Sequence, residues 1–214
     1  MVRALILIIL FIPGNLASES LDSVFTYDEH FDIALGYYNS HRYKLAESEF
    51  RKILIDRKNY SDPVSHLMLA KSQYFQNKII ECQRTCKSYL NKYPKSEYEI
   101  NVRLLISDVL IRQEKYSNVI EELLPVRFEA QDSLLQHNID YRILSSIMIG
   151  ISSNKIERLL FSSENRINRS ILNLARSYRS LLDGNTNDME LSLSVIEPDI
   201  LPNQYKNLYN GLNL

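Results

Sequence analysis

Tryptophan is absent from this sequence and glycine is scarce, at 5 of 214 residues. Nucleotide-binding α/β folds use glycine for phosphate loops and tight turns. Neither GxGxxG nor a P-loop GxxxxGKS or GxxxxGKT occurs, which excludes a dinucleotide-binding or P-loop enzyme. The two cysteines are too few for a disulfide framework or a four-cysteine zinc site. There is no excess of either charge: 25 basic residues face 26 acidic ones, so the basic footprint of a nucleic-acid binder is missing and no nucleic-acid partner is expected. No HxxxH, HExxH or GxSxG spacing is present, and the carboxylates are scattered without a spacing that nominates an acid/base pair. No catalytic residue, metal or cofactor is therefore expected. What is present is ordinary for a folded chain: 45% apolar and 24% charged residues.

The first 17 residues read as an export leader rather than as fold. Arg3 gives a positive start and Ala4 to Ile12 is an unbroken apolar run. Pro13-Gly14 then breaks the helix, and Ala17 offers a small residue for cleavage. The run is shorter than the roughly 20 residues a spanning helix takes, so no transmembrane span is expected after cleavage. Cleavage would remove Arg3 and leave a net charge near −2. Export places the protein in the periplasm or at the outer-membrane periphery, or outside the cell if the host is not bacterial. For a eukaryotic host, Asn59-Tyr60-Ser61 and Asn168-Arg169-Ser170 fit the glycosylation acceptor pattern.

From Phe25 to about Leu124 the apolar residues fall at helical steps of three and four, and no long run alternates with period two. Segments 31–54, 66–90 and 102–124 align with one another at offsets of 36 and 37 residues. Small residues Ala34, Ala70 and Ser107 coincide on the first helix. Tyr43, Ile79 and Tyr116 coincide at the start of the second helix, then Ala46, Cys82 and Val119, then Phe50, Cys86 and Leu123. Polar stretches at Asn39 to Arg42, Gln76 to Lys78 and Arg112 to Lys115 separate the two helices of each copy. Pro94 and Pro125 each close a helical stretch.

This pattern resembles the tetratricopeptide repeat, whose usual period is 34. The small residues Ala34, Ala70 and Ala46, the aromatics Tyr43 and Tyr116, and the closing Pro94 occupy its positions. Its tryptophan position holds His30, His66 and Arg103, its first-helix glycine is missing, and Val119 stands where a small residue belongs. The stretch Tyr89-Leu90-Asn91-Lys92-Tyr93-Pro94-Lys95-Ser96 is similar to exported bacterial repeat proteins, among them the outer-membrane assembly lipoproteins and the periplasmic cell-division coordinators. The lipid-anchor cysteine of the lipoproteins has no counterpart here.

The resemblance implies an all-α fold: a right-handed superhelix of antiparallel helix pairs over 25–128 with a helical C-terminal extension. It implies a concave face lined by the first helix of each pair. Copy one would contribute Phe31, Leu35, Tyr38 and Asn39. Copy two would contribute Leu67, Lys71, Tyr74 and Phe75, and copy three Leu104, Asp108, Ile111 and Arg112. A groove of this kind takes an extended peptide or a helix of a partner protein. The role implied is a non-catalytic adaptor of the bacterial envelope. One alternative is a helical recognition arm of a peptidoglycan or outer-membrane assembly complex. Another is a solute- or glycan-binding periplasmic protein.

The remaining residues extend the helical reading. Segment 129–183 reads as further helices, with 132–162 as a degraded fourth pair because Ser153-Asn154-Lys155-Ile156 resembles the turn. Asp183-Gly184-Asn185 stops a helix. Asp188 is then expected to cap a short helix reaching Glu197, and 184–214 closes the chain with short helices and a tail. Arg166, Arg169, Arg176 and Arg179 share a polar face that Glu157, Glu164 and Asp183 would balance. Cys82 and Cys86 are expected to be small buried hydrophobes rather than a redox or metal pair. His30 and His66, equivalent across copies, are expected to pack.

Overall fold

The computed structural model describes residues 29–56, 62–130 and 132–213. The leader at 1–17 and the tripeptide Asn59-Tyr60-Ser61 lie outside the described residues. Within them the chain is helical throughout, with eleven α-helices and one 3-10 turn. They form two compact units, one ending at Leu105 and the other beginning at Ile106.

The first unit holds α1 (Glu29–Asn39), α2 (Tyr43–Asp56), α3 (Pro63–Phe75), α4 (Ile79–Lys92) and the start of α5 (Glu99–Arg112). Helices α1 to α4 pack in chain order, each on the next. Ala34 and Ala46, both fully buried, let α1 and α2 approach, and Phe31 meets Phe50 edge-on with ring centroids 5.8 Å apart. Helix α3 starts on Pro63 behind Asp62, whose carboxylate accepts from the Ser65 amide at 3.0 Å and the Ser65 hydroxyl at 2.8 Å. Every residue of α3 from Val64 to Gln73 is buried, because α2 and α4 cover it on two sides. Its polar residues must find partners inside: Ser72 donates to the Met68 carbonyl and Gln73 accepts from Thr85.

The second unit holds the rest of α5, then α6 (Tyr116–Leu123), α7 (Ser133–Gly150), α8 (Ser153–Ser162), α9 (Arg166–Leu182) and α10 (Thr186–Ser194). A 3-10 turn at Pro198–Ile200 and α11 (Asn203–Leu212) complete it. Helix α9 is the axis of this unit and packs against α7, α8, α10 and α11. A buried ion pair ties its parts together. Arg127 grips Asp140 of α7 with two parallel hydrogen bonds, and the Tyr205 hydroxyl of α11 donates to the same carboxylate at 3.2 Å.

One turn recurs four times. After α1, α3, α5 and α9 the chain passes through a left-handed residue: His41, Asn77, Glu114 and Gly184, with φ between 57° and 75°. In each case that residue's amide donates three residues back and the next amide donates five residues back. At the first turn these bonds are His41 to Tyr38 and Arg42 to Tyr37; at the fourth they are Gly184 to Leu181 and Asn185 to Ser180. This is the Schellman helix ending, which satisfies the last carbonyls of the helix. Three of the four turns place a side chain where glycine is favoured, at a cost of about 1–2 kcal/mol each.

The packing positions read from the repeat behave alike. Ala34, Ala46, Phe50, Ala70, Cys82, Cys86, Val119 and Leu123 are buried, and Tyr43, Ile79 and Tyr116 at the second-helix starts are half-buried. Two expectations are corrected. Ser153 to Ile156 is the first turn of α8, not a loop. The joint between α7 and α8 is Ile151-Ser152 in extended backbone, so 132–162 is not a hairpin of the common type. The hairpin with the common turn is α9–α10, and Ser177 there is the buried small residue matching Ala34, Ala70 and Ser107. Helix α10 is capped by Asn185, which accepts from the Asp188 amide, and it ends at Ser194 rather than Glu197.

Candidate functional site

The residues expected to line a groove divide by burial. Phe31, Leu67, Lys71 and Leu104 are buried inside the helix packing, with Phe31 2% exposed, so they offer no surface to a partner. Close helix packing absorbs them, as it does the alanines beside them. Leu35, Tyr38 and Tyr74 are half-buried, while Asn39 and Phe75 are exposed. In the second unit Ile111 is half-buried and Arg112 exposed, and Asp108 is engaged by Arg142 at 2.8 Å.

The accessible part in the first unit is the hairpin end. Tyr43 and Phe75 stack with centroids 4.8 Å apart at 17°, and Tyr38 packs edge-on against both. His41 bonds the Tyr43 hydroxyl at 2.7 Å through Nδ1. Phe75 remains 50% exposed. Arg42 lies over the Tyr37 ring at 5.7 Å, and Lys44 is exposed beside it. A recess of about 270 Å³ opens among His41, Arg42, Tyr43, Lys44, Leu45 and Gln76. Neither 33–46 nor 63–80 contains an acidic residue.

The nearest carboxylate in sequence, Glu47, is turned inward and neutralised. Lys78 reaches it at 2.6 Å, Arg51 and Gln76 at 2.8 Å, and Gln73 at 3.4 Å. Burial pushes its pKa up, but these donors outweigh burial and hold it at about 2. The end of the unit is therefore aromatic and basic. Sequence reasoning assigned Tyr38 and Phe75 to the groove and gave Tyr43 a packing role only; the structure stacks Tyr43 on Phe75.

A second concavity lies wholly in the second unit, between α8, α9 and the segment after α10. It measures about 690 Å³ and is lined by Arg166, Arg169, Ser170, Asn173 and Arg176 along α9. Glu157, Leu160 and Phe161 of α8 and Val195 and Glu197 complete it. The four α9 arginines are partly balanced: Glu157 and Asp183 take part as expected, and Glu197 and Asp188 join them. Arg166 pairs with Glu197, Arg179 with Asp183, and Arg176 with Glu157 and Asp188. Arg169 instead donates from Nη1 to the carbonyls of Leu160 and Ser163 at 3.2 Å. The run of ionic residues was legible in the sequence. The cleft was not, since it needs α8 laid beside α9.

Other chemistry-bearing residues are internal. Cys82 and Cys86 are both buried. Among the described residues no group of three or more His, Cys, Asp or Glu is placed to hold a metal ion. His66 packs edge-on to Tyr89 and Tyr93, each with centroids 5.7 Å away. Its pKa is lowered to about 4 by burial first and then by the charge of Lys92. Asn168 is buried and its amide nitrogen donates to the Leu124 carbonyl at 3.2 Å, so the folded chain does not present it for glycosylation. Among the described residues no helix is long and apolar enough to cross a membrane. No protein-family model, curated protein or solved structure matches the chain.

Proposed function

We propose that this is a non-catalytic helical-repeat adaptor that holds a segment of a partner protein. The observation that carries the reading is the hairpin end of the first unit, where Tyr38, Tyr43 and Phe75 are grouped beside Arg42 and Lys44 with no exposed carboxylate among them. Rigid aromatics give contact area at little entropic cost, and an arginine fixes register. The segment that fits is acidic, with an apolar or aromatic anchor for the Tyr43–Phe75 edge. The finer reading is that the hairpins are tetratricopeptide-like and wind as a right-handed superhelix. The recurrent Schellman turn and the buried small residue at four equivalent positions support it. Export to the bacterial envelope rests on the leader-like first 17 residues.

The test is crosslinking in intact cells with the tagged full chain, followed by mass spectrometry. A small reproducible partner set that is lost in the Phe75→Ala and Arg42→Glu variants is the expected result. Retention of every partner by both folded variants would overturn the surface assignment, and a preparation without any partner would overturn the adaptor reading. If the partners belong to peptidoglycan or outer-membrane assembly, the protein is the recognition arm of that complex.

A further inference from the structure

We propose that the α8–α9 cleft of the second unit is a ligand site for a small monoanion, one whose carboxylate adjoins an amide and an apolar group. Three observations in that unit converge, independently of the hairpin end above. The first is a polar floor. Ser170 is 3% exposed and Asn173 9% exposed, and both line the cleft. A guest that hydrogen-bonds them meets groups the helix already holds in place. They lie one helical turn apart on α9, so a single small ligand reaches both.

The second observation sets the charge. Of the three lining arginines, Arg166 and Arg176 are each neutralised by carboxylates, Glu197 for one and Glu157 with Asp188 for the other. Among the described residues Arg169 pairs with no carboxylate. Its Nη1 is fixed by two carbonyls at the end of α8, which orients the guanidinium. A pre-oriented guanidinium edge suits one carboxylate held by paired hydrogen bonds. The three lining arginines face three carboxylates in all, so the selection is local: the Arg169 edge takes one carboxylate, and Glu157 and Glu197 disfavour a second negative charge.

The third observation is the rim. Phe161 is 96% exposed, an aromatic ring the fold leaves in water, and Val195 across the cleft is 60% exposed. With Leu160 they form an apolar wall for the remainder of the ligand. The volume of about 690 Å³ lies in the range of small-molecule sites. The ligand is thus an N-acyl amino acid or a chain end of the same chemistry: carboxylate on Arg169, amide on Asn173 and Ser170, apolar side chain against Phe161.

The test is calorimetric titration and amide-shift mapping of the full chain with N-acetyl-L-leucine. Its carboxamide and an acetylated tripeptide ending in leucine serve as comparisons. Expected is a dissociation constant of about 1 mM for the acid, with shifts in α8, α9 and 195–197, and binding by the carboxamide at least about tenfold weaker. Arg169→Gln is expected to weaken the acid by about tenfold or more. Phe161→Ala, which removes no packing, is expected to weaken it about threefold. Tighter binding by the tripeptide assigns a chain end as the source, and equal or weaker binding assigns a free small molecule; both support the site. No shift in these residues at about 10 mM acid, equal binding by the carboxamide, or wild-type affinity in both folded variants would overturn it.

Discussion

Glu47 shows how one residue joins two hairpins. It belongs to α2, yet Gln73, Gln76 and Lys78 at the end of the next hairpin all donate to it. Removing it leaves those donors without their acceptor, so Glu47→Ala is expected to cost about 2–3 kcal/mol in chemical denaturation. Because its folded pKa of about 2 lies below the ordinary 4.5, its contribution is complete above pH 4.5 and fades as the pH falls toward 2. His66 acts in the window above. Its folded pKa of about 4 lies under 6.5, so the unfolded chain takes up the proton first, and stability declines as pH drops from about 6.5 to 4. The buried Nδ1 of His66 has no hydrogen-bond partner among the described residues. His66→Phe is therefore expected to match or exceed the wild type at pH 7 and to lose that pH-dependent decline, as thermal melts across the range would show. The residue's type and repeat position suggested packing, but only the tyrosines around it explain why it is held neutral.

At the scale of elements, the four Schellman turns give a graded comparison. Gly184 sits at φ 75°, so Gly184→Ala is expected to destabilise by about 1 kcal/mol. Glu114 occupies the equivalent point at φ 57°, and Glu114→Gly is expected to stabilise by a similar amount. Gly36, in mid-helix with open space around its α-carbon, behaves oppositely: Gly36→Ala is expected to stabilise by about 0.5–1 kcal/mol. Differential scanning calorimetry of the three single variants checks the signs. Three of these turns were visible in the sequence as short polar breaks between apolar helices. The fourth was legible as a helix stop at Asp183-Gly184-Asn185 but not as a copy of the same hairpin turn, because α7 and α8 intervene and stretch the interval between Glu114 and Gly184 to 70 residues. The α7–α8 joint was misplaced because a Ser-Ser-Asn string suits both a turn and a helix start, and the extended backbone at 151–152 settles which.

For the whole molecule, the second unit encloses an ion pair that neither partner can leave without cost. Arg127 and Asp140 are almost fully enclosed, and Tyr205 closes over them from α11. Leaving either charge alone in that interior is costly, so Asp140→Ala is expected to lose about 3–5 kcal/mol. Tyr205→Phe, which removes one hydrogen bond, is expected to lose about 1 kcal/mol. Hydrogen exchange should rise first in α11 in both variants. The sequence by itself determined that the chain is helical, where most helices break, and which small and large residues recur at the packing positions. Those properties follow from local periodicity and turn chemistry. The tertiary structure decided the rest: that Phe31, Leu67, Lys71 and Leu104 are interior, that Glu47 is buried among donors, that α9–α10 repeats the hairpin turn, and that a cleft lined by Arg169 lies beside Phe161. Each depends on which helices come to lie side by side, and neighbours distant in sequence leave no periodic signal along the chain.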